Sequence, residues 1–277
     1  MSVLYWVVKV VLTPVLHLLW RPTASGRKHL PRSGPAILAG NHTSYLDWIF
    51  LPLMCPRKIS FLAKSDYFTG RGLKGKAQKF FFAGTGQVPV VRAGGSASAA
   101  ALIAARKVLD EGRLFGIFPE GTRTPDGRLY RGKTGVARLA LESGAPVIPC
   151  ATIGLFDIAP PGARIPKVRR VGVRFGEPLD FSRYAGRAGE RDVLRAVTDE
   201  IMQAIQALSG QEYVDRYAST AKAAAARAQR AGGTAGASSA AKQAEQVEQQ
   251  VDQDEDEPLD EIAPAEDEAR DEAQQAR

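Results

Sequence analysis

Cysteine is nearly absent from this 277-residue chain: Cys55 and Cys150 are the only two, each inside an apolar run. Thiols in such settings make no disulfide framework and read as buried, reduced core residues of a cytoplasmic protein. The three histidines are too scattered to join them in a zinc-type spacing, so no metal and no resident cofactor is expected. No G-x-S-x-G segment occurs, which removes the usual setting of a serine acyl-enzyme nucleophile. Acidic residues are scarce over residues 1–217, where 31 Lys and Arg face 16 Asp and Glu, a net of +15. Residues 218–277 reverse this, with 6 against 14, a net of −8. A basic body implies an anionic partner. Nucleic acid is not expected, because no nucleic-acid module occurs and the aromatics sit in apolar runs away from the Arg and Lys residues.

Long apolar runs are also few. The most apolar stretch, residues 3–20, is 18 long, at the lower limit for crossing a bilayer, and contains Lys9, Pro14 and His17. Tyr5, Lys9, Thr13, His17 and Arg21 recur every four residues, which on a helix makes one narrow polar stripe in an apolar cylinder. Such a helix suits burial in the interfacial layer. It has no positive n-region and no small-residue cleavage site, so it reads as an interfacial anchor over residues 1–21, with a single-pass span as the alternative because membrane helices accommodate a proline such as Pro14. An anionic membrane surface, at the cytoplasmic face of the plasma membrane, is the expected partner.

Beyond this segment, short apolar runs alternate with helical patterns. PAILAG, KISFLA, QVPVVR, LFGIFP and PVIPCATI read as buried strands. SYLDWIFLPLM, a Lys-rich segment near 72–83, SASAAALIAARKVLDEG and KTGVARLALESG read as helices, the last two closed by Gly112 and Gly144. VRRVGVRFGEPLDF adds strand, and AGERDVLRAVTDEIMQAIQALSG is an amphipathic closing helix. The expected fold is α/β, a mixed and largely parallel sheet flanked by helices, over residues 22–217. Residues 218–277 are Ala-, Gln- and Glu-rich, carry a GGTAGASS linker and an acidic run, and are expected to be disordered.

Two segments carry chemistry. NHTSYLD puts His42 where the strand PAILAG meets a helix, with Ser44 and Asp47 spaced as a capping box. A first-turn carboxylate can cap the helix, or reach back to hold the histidine as a general base. In FPEGTR an apolar strand ends in Pro-Glu-Gly, setting Glu120 and Gly121 at the strand's carboxyl edge, where ligands bind in open α/β sheets. Gly121 permits close backbone approach, and Arg123 offers a planar fork for phosphate.

NHTSYLD, PVVR ending in Arg92, FPEGTR and VIPCA resemble, in this order, the four blocks of the glycerolipid acyltransferase family, which includes 1-acylglycerol-3-phosphate acyltransferases. The resemblance covers roughly residues 30–180, and the first and third blocks are its specific part. Pro89 stands where many members have an aromatic residue. The resemblance implies that His42, oriented by Asp47, deprotonates an acceptor hydroxyl that attacks the thioester of acyl-CoA or acyl-carrier-protein. Lysophosphatidic acid is the implied acceptor; glycerol-3-phosphate, another lysophospholipid or a glycolipid are alternatives. Arg92 would bind the acceptor phosphate, with Glu120, Gly121 and Arg123 completing the site and Lys64 as a further phosphate contact.

Residues 127–134, GRLYRGKT, satisfy the P-loop pattern letter for letter. A P-loop's first glycine should follow a strand directly, whereas TRTPD intervenes here. In the acyltransferase reading Lys133 helps hold an anionic donor or acceptor.

Overall fold

The structure, a computed structural model, describes residues 3–70, 72–90 and 97–231. Six strands form its main sheet: β1 (Thr23–Ser25), β2 (Ala36–Gly40), β3 (Ile59–Ser60), β4 (Leu114–Ile117), β5 (Val147–Ile153) and β6 (Gly172–Phe175). Their spatial order is β1-β6-β5-β2-β4-β3, parallel throughout except for β5 against β6. The expected mixed, largely parallel sheet is therefore present. β1 was not expected, because its TAS lies within a basic connector and shows no apolar run.

β2 is central and every residue in it is buried, as the small apolar sequence AILAG requires of a strand covered on both faces. Alternation along the strands sorts side chains into two cores. Leu38, Leu114, Ile148 and Cys150 pack with helix α2 (Asp47–Met54) on one face. Ile37, Phe115 and Val147 pack on the other with Leu109 of α4 (Ala97–Asp110), Leu139 of α5 (Gly135–Ser143) and Ile201 of α6 (Arg191–Ser209). Helix α3 is Gly72–Thr85. Both cysteines are buried and unpaired, as expected.

In helix α1 (Val3–Trp20) the first part of the expected stripe turns inward, at Tyr5, Lys9 and Thr13, while His17 is exposed. Tyr5 is buried, and the Lys9 ammonium donates to the backbone carbonyls of Pro52 and Cys55. These lie at the end of α2, where carbonyls lack intrahelical partners and a cation opposes the helix dipole. The apolar face is left outside, with Val3, Val10, Val11 and Leu18 all exposed. Among the described residues α1 is the one helix long and apolar enough to cross a membrane.

The tail begins later than its composition suggests. Residues 218–231 form helix α7 (Ala218–Ala231), with Tyr217, Ala218 and Thr220 buried against the body. Neighbouring side chains, invisible to composition, order it. The acidic stretch 232–277, expected to be disordered, lies outside the described residues.

Candidate active site

Parallel register brings the site together. β2 and β4 run side by side with Ala39 opposite Ile117, so the residues after both strands leave the same carboxyl edge of the sheet. His42 follows β2 by two residues and Glu120 follows β4 by three. β5 contributes Thr152 on β2's other side.

His42 Nδ1 lies 2.9 Å from Asp47 Oδ2, and the carboxylate is fully buried. The same oxygen accepts the backbone N–H groups of Thr43 at 2.7 Å and Ser44 at 2.8 Å. Asp47 Oδ1 accepts the Thr43 hydroxyl at 3.2 Å and the Thr152 hydroxyl at 2.9 Å. A buried carboxylate with this many donors is fixed in place and held as an acceptor. Only half of the expected capping box forms: Asp47 accepts the Ser44 N–H, but the Ser44 hydroxyl donates instead to Ala159 O at 2.8 Å. Satisfying the N–H groups of the turn before α2 and orienting the histidine thus fall to one carboxylate. With Nδ1–H donated to Asp47, Nε2 keeps its lone pair and makes no hydrogen bond among the described residues.

The ring is held from the side as well. His42 stacks on Phe118 with centroids 4.2 Å apart, and Phe118 stacks on Phe61 at 5.7 Å. Phe61 fits because residue 116 is glycine: a Cβ there would stand 2.2 Å from the Phe61 ring. Sequence reasoning missed this stack, since no periodicity reports a stacking partner from another strand.

Glu120 turns inward. Its Oε1 accepts the His42 N–H at 2.8 Å and its Oε2 the Tyr130 N–H at 3.1 Å. Burial pushes its carboxyl up to about 8 from the ordinary 4.5. It ties the His42 backbone to the loop behind it rather than lining the surface of the site. Gly121 has φ +69, a left-handed backbone that favours glycine, and the Lys133 stem crosses it, 2.9 Å from where a Cβ would lie.

His42 lines two cavities. One, of about 520 Å³, has walls from α1, α2 and α3, including Leu12, Trp48 and Phe82, and contains Arg123. The other, of about 490 Å³, runs between the sheet and α4, past Phe115, Leu102 and Ala105, and contains Gly121 and Lys133. Arg123 and Lys133 thus each serve a different cavity, with His42 common to both. Lys64 ends the short strand Leu62–Lys64 that pairs with Val88–Val90. Arg92 lies outside the described residues.

Four residues join the site without a signal in the sequence. Asn41 donates to Thr152 O at 3.1 Å and to Gln211 Oε1 at 2.7 Å, locking the end of β2 to β5. Lys222 of α7 donates to Thr122 Oγ1 at 2.8 Å, inside FPEGTR. These partners lie 100 to 170 positions apart, beyond any local pattern. The P-loop reading fails here, because GRLYRGKT contains a strand, Leu129–Tyr130, paired with Tyr213–Val214.

Fold and site define an α/β protein with a carboxylate-backed histidine between two largely apolar cavities. Residues 21–153, just under half of the chain, match the family model described as Acyltransferase. A chloroplastic 1-acyl-sn-glycerol-3-phosphate acyltransferase of Arabidopsis thaliana is 30% identical over 149 residues, covering 53% of this chain and 40% of its own length. The chain thus spans well under two thirds of the plant relatives it matches. The 1-acyl-sn-glycerol-3-phosphate acyltransferase of Bacillus subtilis is 28% identical over 184 residues, covering 66% of this chain and 85% of that protein. The crystal structure of the 1-acyl-sn-glycerophosphate acyltransferase of Thermotoga maritima shares the fold, with a TM-score of 0.52 and 22% identity, covering 70% and 78% of the two chains.

Proposed function

We propose that this chain transfers a fatty acyl group from acyl-CoA or acyl-carrier-protein to the free hydroxyl of lysophosphatidic acid, giving phosphatidic acid. The observation that carries the reading is the position of His42, which lines both cavities and is backed by Asp47 at 2.9 Å. The names of the plant and Bacillus relatives support the acceptor.

In this reading Nε2 of His42 takes the proton of the acceptor hydroxyl, and Asp47 stabilises the imidazolium that results. The oxygen attacks the thioester carbonyl; the C–O bond forms, the C–S bond breaks, and the proton passes from His42 to the departing thiolate. Transfer is direct, with no acyl-enzyme, consistent with the lack of a serine elbow. Arg123 and Lys133 hold the anionic groups of the two substrates, one in each cavity, and Arg92 and Lys64 add to the acceptor phosphate site. Glu120 keeps the His42 backbone in register.

The exposed apolar face of α1 and the net +15 of residues 1–217 support residence on an anionic membrane surface, at the cytoplasmic face. The decisive experiment is an acceptor panel scored for acyl incorporation by wild type and His42→Ala. Incorporation into lysophosphatidic acid that is lost in the variant is expected. Transfer only to glycerol-3-phosphate, another lysophospholipid or a glycolipid would change the acceptor, and a trapped covalent acyl-enzyme would sink direct transfer.

A further inference from the structure

Among the described residues outside the helices, the most exposed large apolar side chain is Ile165, at 83% of full exposure, and Val168 three residues on is at 64%. Both sit in the loop between Ile158 and β6, with Arg164, Lys167, Arg169 and Arg170, all exposed. Residues 160–171 hold no acidic side chain. Two isoleucine- and valine-sized groups projected into water between four cations do not serve a core.

The projection is built in rather than frayed. Pro160, Pro161 and Pro166 stiffen the loop. The Ala163 N–H donates to Pro160 O at 3.0 Å, and the Lys167 N–H to Ile158 O at 2.8 Å. Trp20, the last residue of α1, donates its indole N–H to Lys167 O at 2.8 Å. The loop is therefore fastened to the end of α1 where Leu18, at 78% exposure, faces outward.

We infer that the loop Pro160–Arg170 is a second membrane-docking element, an assignment that rests on the membrane-surface reading of α1. Ile165 and Val168 enter the interfacial layer of an anionic bilayer, and the four cations around them meet lipid phosphates. Alternation of apolar and cationic residues suits that layer, where acyl chains and phosphates lie within one side-chain length of each other. Continuity with the exposed face of α1 favours a bilayer over an acidic protein partner. Two contacts separated along the chain also fix how the body is oriented on the surface, which one helix lying flat leaves free to roll.

The test is co-sedimentation of the full chain with phosphatidylcholine vesicles, with and without about a third phosphatidylglycerol. Four forms are compared: wild type, Ile165→Ser/Val168→Ser, Arg169→Gln/Arg170→Gln, and Val10→Ser/Val11→Ser on the outer face of α1. The loop variant is expected to lose about tenfold in partitioning with an unchanged melting temperature, since both side chains are solvent-exposed. Arg169→Gln/Arg170→Gln is expected to lose most of the preference for phosphatidylglycerol. If the loop variant binds like wild type while the α1 variant does not, the loop inference fails and the α1 reading stands. If wild type does not bind either vesicle, the membrane reading itself fails. Unchanged vesicle binding with transfer lost only from an acyl-carrier-protein donor would reassign the loop to that acidic partner.

Discussion

The catalytic hypothesis turns on one carboxylate doing two jobs. Asp47 satisfies backbone N–H groups of Thr43 and Ser44 and also holds His42, so removing it disturbs both the loop and the ring. His42→Ala is expected to lower kcat by about 10²–10⁴ with little change in melting temperature, the scale of a general base lost from a partly exposed position. Asp47→Asn is expected to lower kcat as well and to cost stability, which thermal melting beside steady-state kinetics would separate. A third change acts through packing. Gly116→Ala puts a methyl about where Phe61 now lies, and Phe61 supports Phe118 and so His42. A loss of kcat with KM nearly unchanged is expected; unaltered kcat would show that the stack does not position the ring. Glu120 gives a pH signature. Its carboxyl is pushed up to about 8 in the folded state from 4.5, so the folded chain keeps a proton that the unfolded chain has released. Stability is therefore expected to fall as pH rises from about 4.5 to about 8, by at most about 1.4 kcal/mol per unit. Gln copies the protonated form, so Glu120→Gln should flatten that slope in urea unfolding. An equal slope in both proteins would remove Glu120 as its source.

At the scale of elements, periodicity and punctuation made most of the fold legible in the sequence. Strands β2, β4 and β5 are apolar runs bounded by Gly and Pro, and α6 repeats its apolar residues with helical spacing. His42, Asp47 and FPEGTR were legible because they follow strands directly. Glu120 was legible as a site residue but not in its direction, since only the partners of its two oxygens reveal that it points inward. β1 was hidden because three residues of mixed polarity on a sheet edge show no pattern. α1 was legible as a helix, yet Lys9 of its polar stripe turns to α2, because the carbonyls of Pro52 and Cys55 accept its ammonium and offset the cost of desolvating it. α7 was hidden in the tail because its Ala-rich sequence cannot form a core alone. Its order comes from the burial of Tyr217, Ala218 and Thr220 where it begins and from the Lys222–Thr122 bond at 2.8 Å. Deleting residues 232–277 is therefore expected to leave the melting temperature unchanged. Deleting from 218 should cost about 2 kcal/mol, the scale of uncovering one large side chain, and should weaken transfer through the freed FPEGTR loop. Equal melting temperatures for the two truncations would show that α7 does not brace the body.

For the whole molecule the governing feature is charge that differs between its parts. Residues 1–231 carry a net +18, while 232–277 carry 14 acidic against 3 basic side chains, a net of −11. On the membrane-surface reading, such a tail is an internal competitor for the basic body, since acidic residues on the same chain act at high effective concentration. Removing residues 232–277 raises the net charge from +7 to +18 without touching α1, the loop Pro160–Arg170 or the cavities. Partitioning onto anionic vesicles is expected to strengthen by roughly tenfold or more at low salt. The gain should shrink as salt rises, because screening shortens from about 10 Å at 0.1 M to about 3 Å at 1 M. Binding to neutral vesicles, which depends on the exposed residues of α1 and on Ile165 and Val168, should be nearly the same with or without the tail. Co-sedimentation across a salt series measures all three. A gain that persists undiminished at high salt would mean that the tail obstructs the surface by bulk instead of by charge. No gain at low salt would mean that its acids do not compete for the basic body at all.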